Sequence, residues 1–571
     1  MPLFQVEDFE LFERYGGVAK DDAPEGFGLL RDFYDKLKLL CEEIKERSNH
    51  RYSFNINRNP TIRGIKYWDY HWAQLYMHDS QSFRDACHDK VFFVIGTTES
   101  GFNCHIDFRV TNWELNSIET EVSKEIKESS WTSLSPEEVS AMKTAEIADY
   151  VIHYMDRHLR DFYRYGGEFG ITECSDRLNR LKMQSYIDLL TANRNLVLTG
   201  APGTGKTYLA RQIASRMILG KTDIDNLTDA EQSLLSHCCR MVQFHPSMDY
   251  TDFVEGLRPT PPDANGNIGF RRADGIFKQF CAEAIDTVGS EAEILYALEV
   301  FKSEMDGKRI PSIRTDIEFG IKIKEDKIFF IPGSHLDKAE PNLYFADIPA
   351  VIRYILTGSY DGTHKSYEPA LGDYLKNNYL KPHPFIFIID EINRGEIAKI
   401  FGELFFAIDP GYRGKKGKVT TQYQNLITDD DPFKDGFYVP ENVFILGTMN
   451  DIDRSVDTMD FAIRRRFAWQ EVTAASSSGM LDSLDANVRD SARRRMQKLN
   501  DAIGNHRALG SAFHIGASYF LKLGHYLAAH SEDEAFDLLW EHHLHGLLAE
   551  YLRGTPDAAA SLESLKTAYQ E

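Results

Sequence analysis

Three stretches of this chain are apolar at every position: Leu196-Val-Leu198, Phe385-Ile-Phe-Ile-Ile389 and Val443-Phe-Ile-Leu446. Continuous apolar runs of strand length predict strands of a parallel sheet covered on both faces. Between the first two runs, residues 317–331 alternate apolar and charged positions before a turn and predict a hairpin. Helical spacing of apolar positions covers residues 32–47 and 136–158, a lead-in segment from Ser175, and residues 207–216. Residues 90–95 and 104–110 read as two strands joined by a Gly/Thr/Ser turn, and the pattern after about 472 is mainly helical.

Glycine and serine clusters divide the chain. Tyr165-Gly-Gly-Glu-Phe-Gly170 reads as a linker, and Ser476-Ser-Ser-Gly479 as a short loop. The expected domains are 1–172, an α+β N-terminal domain; 173–471, an α/β P-loop core on a parallel sheet; and 472–571, a helical C-terminal lid. The long separation between Lys206 and Asp390 exceeds what a compact core needs, so an insertion is expected at about 285–375. At 571 residues the chain exceeds a single core, in keeping with about three domains.

Composition adds mostly exclusions. Apolar residues make up 42% and aromatics 12%, ordinary for a folded protein, so attention falls on charge. A net charge of −22 excludes general polyanion binding and confines any nucleic-acid contact to a local patch. The seven cysteines form no C-x-x-C pair, and adjacent Cys238 and Cys239 suit neither a structural zinc site nor an ordinary disulfide. There is no signal-peptide pattern and no apolar run long enough to span a bilayer, so the expected location is cytoplasmic, with no membrane partner.

The chemistry concentrates at the ends of the apolar runs. Gly200-Ala-Pro-Gly-Thr-Gly-Lys-Thr207, followed by Tyr208, sits between a strand and a helix, the context a phosphate-cradling P-loop requires. Its glycines let the loop of Gly200, Ala201, Pro202, Gly203, Thr204 and Gly205 turn its backbone N–H groups, which every one of these but Pro202 carries, toward an anion. Lys206 is placed to meet β- and γ-phosphates, and Thr207 to ligate Mg²⁺. The second run ends in Asp390-Glu391: one carboxylate to hold Mg²⁺, the next to polarise an attacking water. The third ends in Asn450, a neutral amide able to orient that water or bond the γ-phosphate; standing alone it reads equally as a turn residue. Arg464-Arg465-Arg466 is a compact cationic cluster able to stabilise transition-state charge across a subunit boundary, or to lie in solvent.

Taken together, these residues resemble the McrB family of AAA+ NTPases, the motor subunits of McrBC-type modification-dependent restriction systems. The resemblance rests also on Gln243-Phe-His-Pro-Ser-Met-Asp-Tyr-Thr-Asp-Phe-Val-Glu-Gly-Leu-Arg-Pro259, Asp274-Gly-Ile-Phe-Lys-Gln-Phe280 and Asp390-Glu-Ile-Asn-Arg-Gly395. Ile400-Phe-Gly-Glu-Leu404, Met449-Asn-Asp-Ile-Asp-Arg-Ser455 and Ile515-Gly-Ala-Ser-Tyr-Phe520 extend it over about 185–571. It implies an AAA+ core with a Walker B pair at Asp390 and Glu391 and a sensor at Asn450. Asp453 and Arg454 fall in the family signature, and Arg465 and Arg466 are the trans-acting arginines. It also implies ATP or GTP with Mg²⁺, a homo-oligomeric ring, commonly a hexamer, and a separate McrC-like nuclease subunit. DNA, modified or not, would be engaged through the N-terminal domain. Two departures qualify this. His514-Ile-Gly-Ala-Ser-Tyr-Phe520 has no arginine for a standard second sensor, and Asn450-Asp-Ile-Asp453 lacks the lysine of a guanine-reading motif. Two other readings share the core residues: a MoxR- or dynein-like ATPase that remodels protein, and a nucleotide-gated sensor module.

In the N-terminal domain, residues 49–68 carry Arg51, Arg58, Arg63 and Lys66 among Tyr52, Phe54, Tyr67 and Trp68, with no acid. Basic residues among aromatics fit single-stranded or flipped bases. The same pattern fits two strands with aromatics inward and cations in solvent, which is favoured because so short a stretch is a weak signal; acids outnumber bases across residues 1–180, which argues against extended backbone binding. His105 and Asp107 share one strand face, too few ligands for a metal. No nuclease constellation is evident, so the chain is not expected to cut nucleic acid itself.

Overall fold

A computed structural model describes residues 2–56, 60–62, 65–68, 71–77, 91–98, 100–108, 130–168, 172–261, 268–285, 289–312, 318–452 and 461–571. The chain divides into two compact units, Met1–Ser185 and Tyr186–Glu571.

In the first unit, helices α1 (Val6–Tyr15) and α2 (Gly26–Arg47) precede strands β1 (Tyr52–Ile56), β2 (His71–Met77), β3 (Val91–Thr98), β4 (Gly101–Phe108) and β5 (Thr132–Leu134). The strands pair antiparallel in that order. Leu30, Phe33, Tyr34, Leu37, Leu40, Cys41 and Ile44 form the buried stripe of α2, at the spacing that puts them on one helical face. They share a core with Ala73, Leu75, Phe93, Ile95, Cys104 and Ile106 from one face of the sheet. The opposite face carries Trp72, Gln74, Tyr76, Phe92, Val94, Asn103 and His105, as strand alternation demands. There the Tyr76 hydroxyl donates to Gln74 Oε1 at 2.6 Å, and the His105 ring stacks on Trp131 with centroids 4.8 Å apart.

Two expectations are corrected here. The single helix over 136–158 is two, Pro136–Ala141 and α3 (Thr144–Arg157). Met142 is extended, and Glu146 Oε2 accepts from Lys143 N at 2.7 Å to start a new helix. The glycine-rich run at 165–170 is not all linker: Leu159–Glu168 is helical, with Ser175 so close to Gly167 that a β-carbon would come within 2.6 Å of its hydroxyl. The aromatic stretch turns inward: Tyr52 and Tyr67 are buried, their hydroxyls donating to Asp156 Oδ1 and Ala23 O, and Arg51 pairs with Asp156. Arg58 and Arg63 lie outside the described residues.

Helix α4 (Thr172–Asn193) leads into a sheet of β6 (Asn195–Thr199), β7 (Cys239–Gln243), β8 (Phe385–Asp390), β9 (Val443–Thr448) and β10 (Ala468–Glu471). The spatial order is β10-β6-β9-β8-β7, every neighbouring pair parallel. The three apolar runs are its three inner strands. In this α/β arrangement the strand tips gather at one edge, where ligands of such sheets bind.

The insertion has its own core. Helices Glu291–Met305, Ile348–Thr357 and Glu368–Asn378 pack on a four-stranded antiparallel sheet that contains the expected hairpin, Glu318–Lys324 with Lys327–Ile331. Glu325 and Asp326 both take positive φ at its two-residue turn, 51° and 59°. After β10 the chain is helical, from α6 (Ala486–Asn505) to α7 (Ala558–Gln570), around a separate core that includes Leu499, Ile515, Phe536 and Tyr569. Among the described residues no helix is long and apolar enough to cross a membrane.

Two of the sequence segments singled out above fold into one structural device. Glu255–Pro259 pairs with Phe270–Asp274, and Gly275 packs so closely on Phe253 that a β-carbon would lie 2.4 Å from its carbonyl carbon. Phe253 and Phe277 stack at 4.9 Å. The fully buried Glu255 carboxylate accepts from the fully buried Lys278 at 2.6 Å, from Arg272 at 3.2 Å and from Tyr423 N at 2.8 Å. Arg272 also bonds Asp431 at 2.7 Å, tying the hairpin to the 421–431 loop. Burial acts to raise the pKa of Glu255, but the bonds from Lys278, Thr421 and Tyr423 outweigh it and hold the carboxyl below its ordinary value. A depressed folded pKa adds stability above the unfolded value of about 4.3 and loses it as pH falls through the folded pKa. Lys278→Met is therefore expected to lower stability by roughly 3 kcal/mol at neutral pH, because it removes one partner of a buried pair. Urea unfolding at pH 7 and below pH 4 checks this, and the difference between variant and parent should shrink in acid.

Candidate functional site

The loop after β6 leaves its strand through Gly200 at φ 139° and turns at Gly203 and Gly205, φ 75° and 79°. A side chain at any of these would be strained, and at Gly200 it would also strike the Val472 carbonyl at 2.3 Å. The N–H groups of Gly203, Thr204 and Gly205 donate to no protein acceptor among the described residues. They lie at the N-terminus of α5 (Lys206–Leu219), where unpaired donors and the helix dipole favour an anion. The loop's carbonyls are occupied instead. Gly516 N donates to Pro202 O at 3.1 Å, and Ser518 N to Gly203 O at 3.0 Å. Lys206 is 7% exposed, and its ammonium donates to Gly200 O at 2.9 Å and Ala201 O at 2.8 Å. The lid thus braces the loop through backbone bonds. Gly516 comes so near Gly203 that a β-carbon would be 2.1 Å from the Gly203 carbonyl carbon.

Beside the loop, Asp390 Oδ1 accepts from Thr207 Oγ1 at 2.7 Å and from Thr448 Oγ1 at 2.6 Å. No described residue donates to its Oδ2. Glu391 follows in the left-handed region, φ 51° and ψ 49°, a conformation costly for a side chain with a β-carbon. Three groups hold it. Its N–H donates to Thr448 Oγ1 at 3.2 Å, Asn450 Nδ2 donates to its Oε1 at 2.7 Å, and Arg394 Nε to its Oε2 at 3.2 Å. Two consecutive carboxylates thereby point to different tasks: Asp390 toward the Thr207 hydroxyl, Glu391 toward the Asn450 amide. The free Oδ2 and the Thr207 hydroxyl are hard oxygen donors, the set Mg²⁺ takes. Asp451, next to Asn450, has its carboxyl pushed above the ordinary range by partial desolvation, despite the pull of Lys206.

The site therefore gathers Gly200, Ala201, Pro202, Gly203, Thr204, Gly205, Lys206, Thr207, Asp390, Glu391 and Asn450. Tyr208 stands on the first turn of α5 with its hydroxyl on Asp225 at 2.9 Å. The arginines are elsewhere, at the turn leading into β10. Arg464 lies over the Trp469 ring at 5.0 Å. Arg466 is 3.7 Å from Asp409 and 5.9 Å from the Phe405 ring centre. Arg465 is exposed, and its side chain meets no acid or acceptor among the described residues. Asp453 and Arg454 lie outside the described residues.

Thr448 and Arg394 were not singled out in the sequence. Thr448 was legible only as a hydroxyl two positions before Asn450, at the end of an apolar run as Thr199 is; Arg394 carried no comparable signal. His237, Cys238 and Glu293 form a His/Cys/Glu grouping with ligand atoms within 4.8 Å of one another. It lies by Phe385, at the opposite end of β8 from Asp390, and Glu293 Oε2 is already taken by Gly289 N and Ser290 N.

Two family models match the chain: an AAA domain of the dynein-related subfamily over residues 314–467, and the alpha-helical lid domain of McrB over 491–560. Among curated proteins it is similar to the type IV methyl-directed restriction enzyme EcoKMcrB subunit of Escherichia coli K12. The identity is 28% over 345 residues, covering 59% of this chain and 50% of that protein. It is also similar to the type II restriction enzyme BsuMI component YdiS of Bacillus subtilis 168, at 24% identity over 312 residues, 54% of this chain and 65% of that one. The chain thus spans between half and two thirds of the length of these relatives.

Thr448→Val keeps the shape of β9 but removes a donor to Asp390 and the acceptor of the Glu391 N–H. It is expected to lower nucleotide turnover by at least about tenfold, with nucleotide affinity changed far less, because it misplaces acids without touching the loop. Equal losses in affinity and turnover would contradict this reading.

Proposed function

We propose that this chain, an McrB-like AAA+ protein, hydrolyses ATP or GTP and uses the energy to translocate or remodel DNA in a restriction complex with a separate McrC-like nuclease subunit. The observation that carries this is the convergence of Thr207, Asp390, Glu391 and Asn450 beside a loop whose N–H groups are unpaired. In this reading the N–H groups of Gly203, Thr204 and Gly205 bind the phosphates, and Lys206 moves from its two loop carbonyls onto the β- and γ-oxygens. Thr207 and Asp390 hold Mg²⁺, which when bound neutralises phosphate charge. Glu391 orients and polarises the attacking water, and Asn450 fixes the Glu391 carboxylate and contacts the γ-phosphate. Arg465, with Arg466 beside it, reaches a neighbouring subunit's nucleotide in a homo-oligomeric ring, proposed as a hexamer.

The proposed division of labour keeps 1–172 for recognition, 173–471 for the motor and 472–571 for the lid. Recognition of DNA, assigned in this reading to the N-terminal domain, follows from the likeness to a methyl-directed restriction enzyme subunit; on the second face of its sheet Gln74, Asn103 and His105 are buried among aromatic rings and bonded within the domain. The proposed setting is cytoplasmic. A protein-remodelling ATPase would use the same core, and the partner separates the two readings.

Purified protein assayed on ATP and GTP side by side, with and without the candidate nuclease, tests the proposal. One nucleotide is expected to be hydrolysed and strongly stimulated by the partner. Glu391→Gln is expected to retain nucleotide binding and assembly while turnover falls by about 100-fold or more, the usual scale for losing a general base. Robust hydrolysis indifferent to the partner would favour protein remodelling, and normal turnover in Glu391→Gln would remove its assigned role.

A further inference from the structure

At the end of the sheet opposite Asp390, an arginine is buried without a carboxylate on it. Arg413 is 2% exposed, and its guanidinium donates to Ile408 O at 3.1 Å, to Val443 O at 3.2 Å and to the Asn195 side-chain oxygen. All three acceptors are neutral. Burying a cation on carbonyls alone is expensive, and burial pushes the Arg413 pKa down to about 9. Asn195, fully buried, is the first residue of β6. Its Nδ2 donates onward to Ile408 O and to Arg466 O, each at 2.8 Å. Apart from the Ile408 carbonyl, which both residues share, the bonds of this pair end on segments that lead to the candidate site. Asn195 begins the strand that ends in the phosphate loop, Val443 begins the strand that ends at Asn450, and Arg466 belongs to the arginine turn.

Arg466 is gripped from several sides. Its carbonyl is held by Asn195, its guanidinium lies 3.7 Å from Asp409, one residue beyond Ile408, and its Nη1 donates to Ala462 O at 2.5 Å. With Arg466 committed within its own subunit, Arg465 is left projecting from a turn whose backbone is fixed. We propose that Asn195 and Arg413 are positioning residues that hold the Arg464–Arg466 turn so that Arg465 meets a neighbouring subunit's nucleotide. This rests on the proposed trans-acting role of that arginine. The same bonds join the turn to the start of the phosphate-loop strand, so the arginine a subunit lends is set by the strand that carries its own loop.

Asn195→Asp isolates the link. The new carboxylate keeps its partner in Arg413 but sets a negative oxygen, in place of a donor, against the carbonyls of Ile408 and Arg466. Asn195→Ser removes the same donations without a charge, as a second variant should the first fold poorly. Neither alters a group at the subunit's own nucleotide. Expected for both are a fluorescent-nucleotide affinity within about twofold of the parent and turnover down at least about tenfold, a fraction of what a trans arginine supplies. The decisive readout is mixing. An Asn195→Asp subunit has an intact site but lends a misaligned arginine, whereas Lys206→Ala has a dead site and lends a sound one. Equimolar mixed rings of the two are expected to recover turnover that neither homomeric ring has.

Arg465→Ala mixed with Lys206→Ala is the control for the underlying reading. If the control recovers turnover and the Asn195 mixtures do not, the positioning role is overturned and the trans arginine stands. If the control does not recover, the trans arginine itself fails and the positioning role with it. Unchanged turnover in both Asn195 variants also overturns the proposal.

Discussion

One oxygen, Oδ1 of Asp390, accepts from the hydroxyls of Thr207 and Thr448, and through it the tips of three strands are locked together. Thr207 belongs to the helix after β6, Thr448 ends β9, and Asp390 ends β8. The Thr448 hydroxyl also accepts the Glu391 N–H, which stabilises a backbone conformation Glu391 would otherwise avoid. Glu391 then faces Asn450 instead of following Asp390 along the strand direction. The parallel sheet is what makes this possible. Parallel strands end at the same edge, so residues far apart in sequence arrive within hydrogen-bond distance without any long loop having to be ordered for the purpose.

The opposite edge of the same sheet is organised by a different principle. There Arg413 and Asn195 bond only to backbone carbonyls and to each other, spending a buried charge on the placement of three chain segments. Such a cluster is weak evidence for stability, since replacing buried charges by apolar residues is often neutral or favourable. Its value lies in direction: hydrogen bonds fix the angle at which the arginine turn leaves the sheet, which packing alone would leave loose. In the proposed function the two edges divide the labour between a site for phosphate and a turn that is offered outward.

The inner strands were legible because burial on both faces leaves an unbroken apolar run, and β6, β8 and β9 read that way. The edge strands did not. Cys239–Gln243 and Ala468–Glu471 are only partly buried and mix Arg240, Gln243, Gln470 and Glu471 with apolar residues, so nothing in their pattern marks a strand. The residues of the loop and of the carboxylate pair were legible from type and spacing. Thr448 was harder, because its role depends on register with β8. Arg413 could not be read at all, since an arginine in a polar segment looks like a surface residue until tertiary contacts enclose it. In the N-terminal unit the aromatic stretch allowed two readings, and the favoured one, aromatics inward, is the one found for Tyr52 and Tyr67. Tyr52 and Tyr67 have the types of a stacking surface, but each has a buried ring and a hydroxyl bonded within the domain, to Asp156 and to Ala23 O. The polar and aromatic face that remains belongs to β2, β3 and β4.

In the proposed function the hydrolytic site is completed between subunits. The most direct test is turnover per subunit measured against protein concentration, with oligomeric state followed by mass photometry under the same nucleotide conditions. A shared site predicts that turnover per subunit rises with concentration in step with the assembled fraction and vanishes in the monomer. Constant turnover per subunit down to concentrations at which only monomers remain would contradict it.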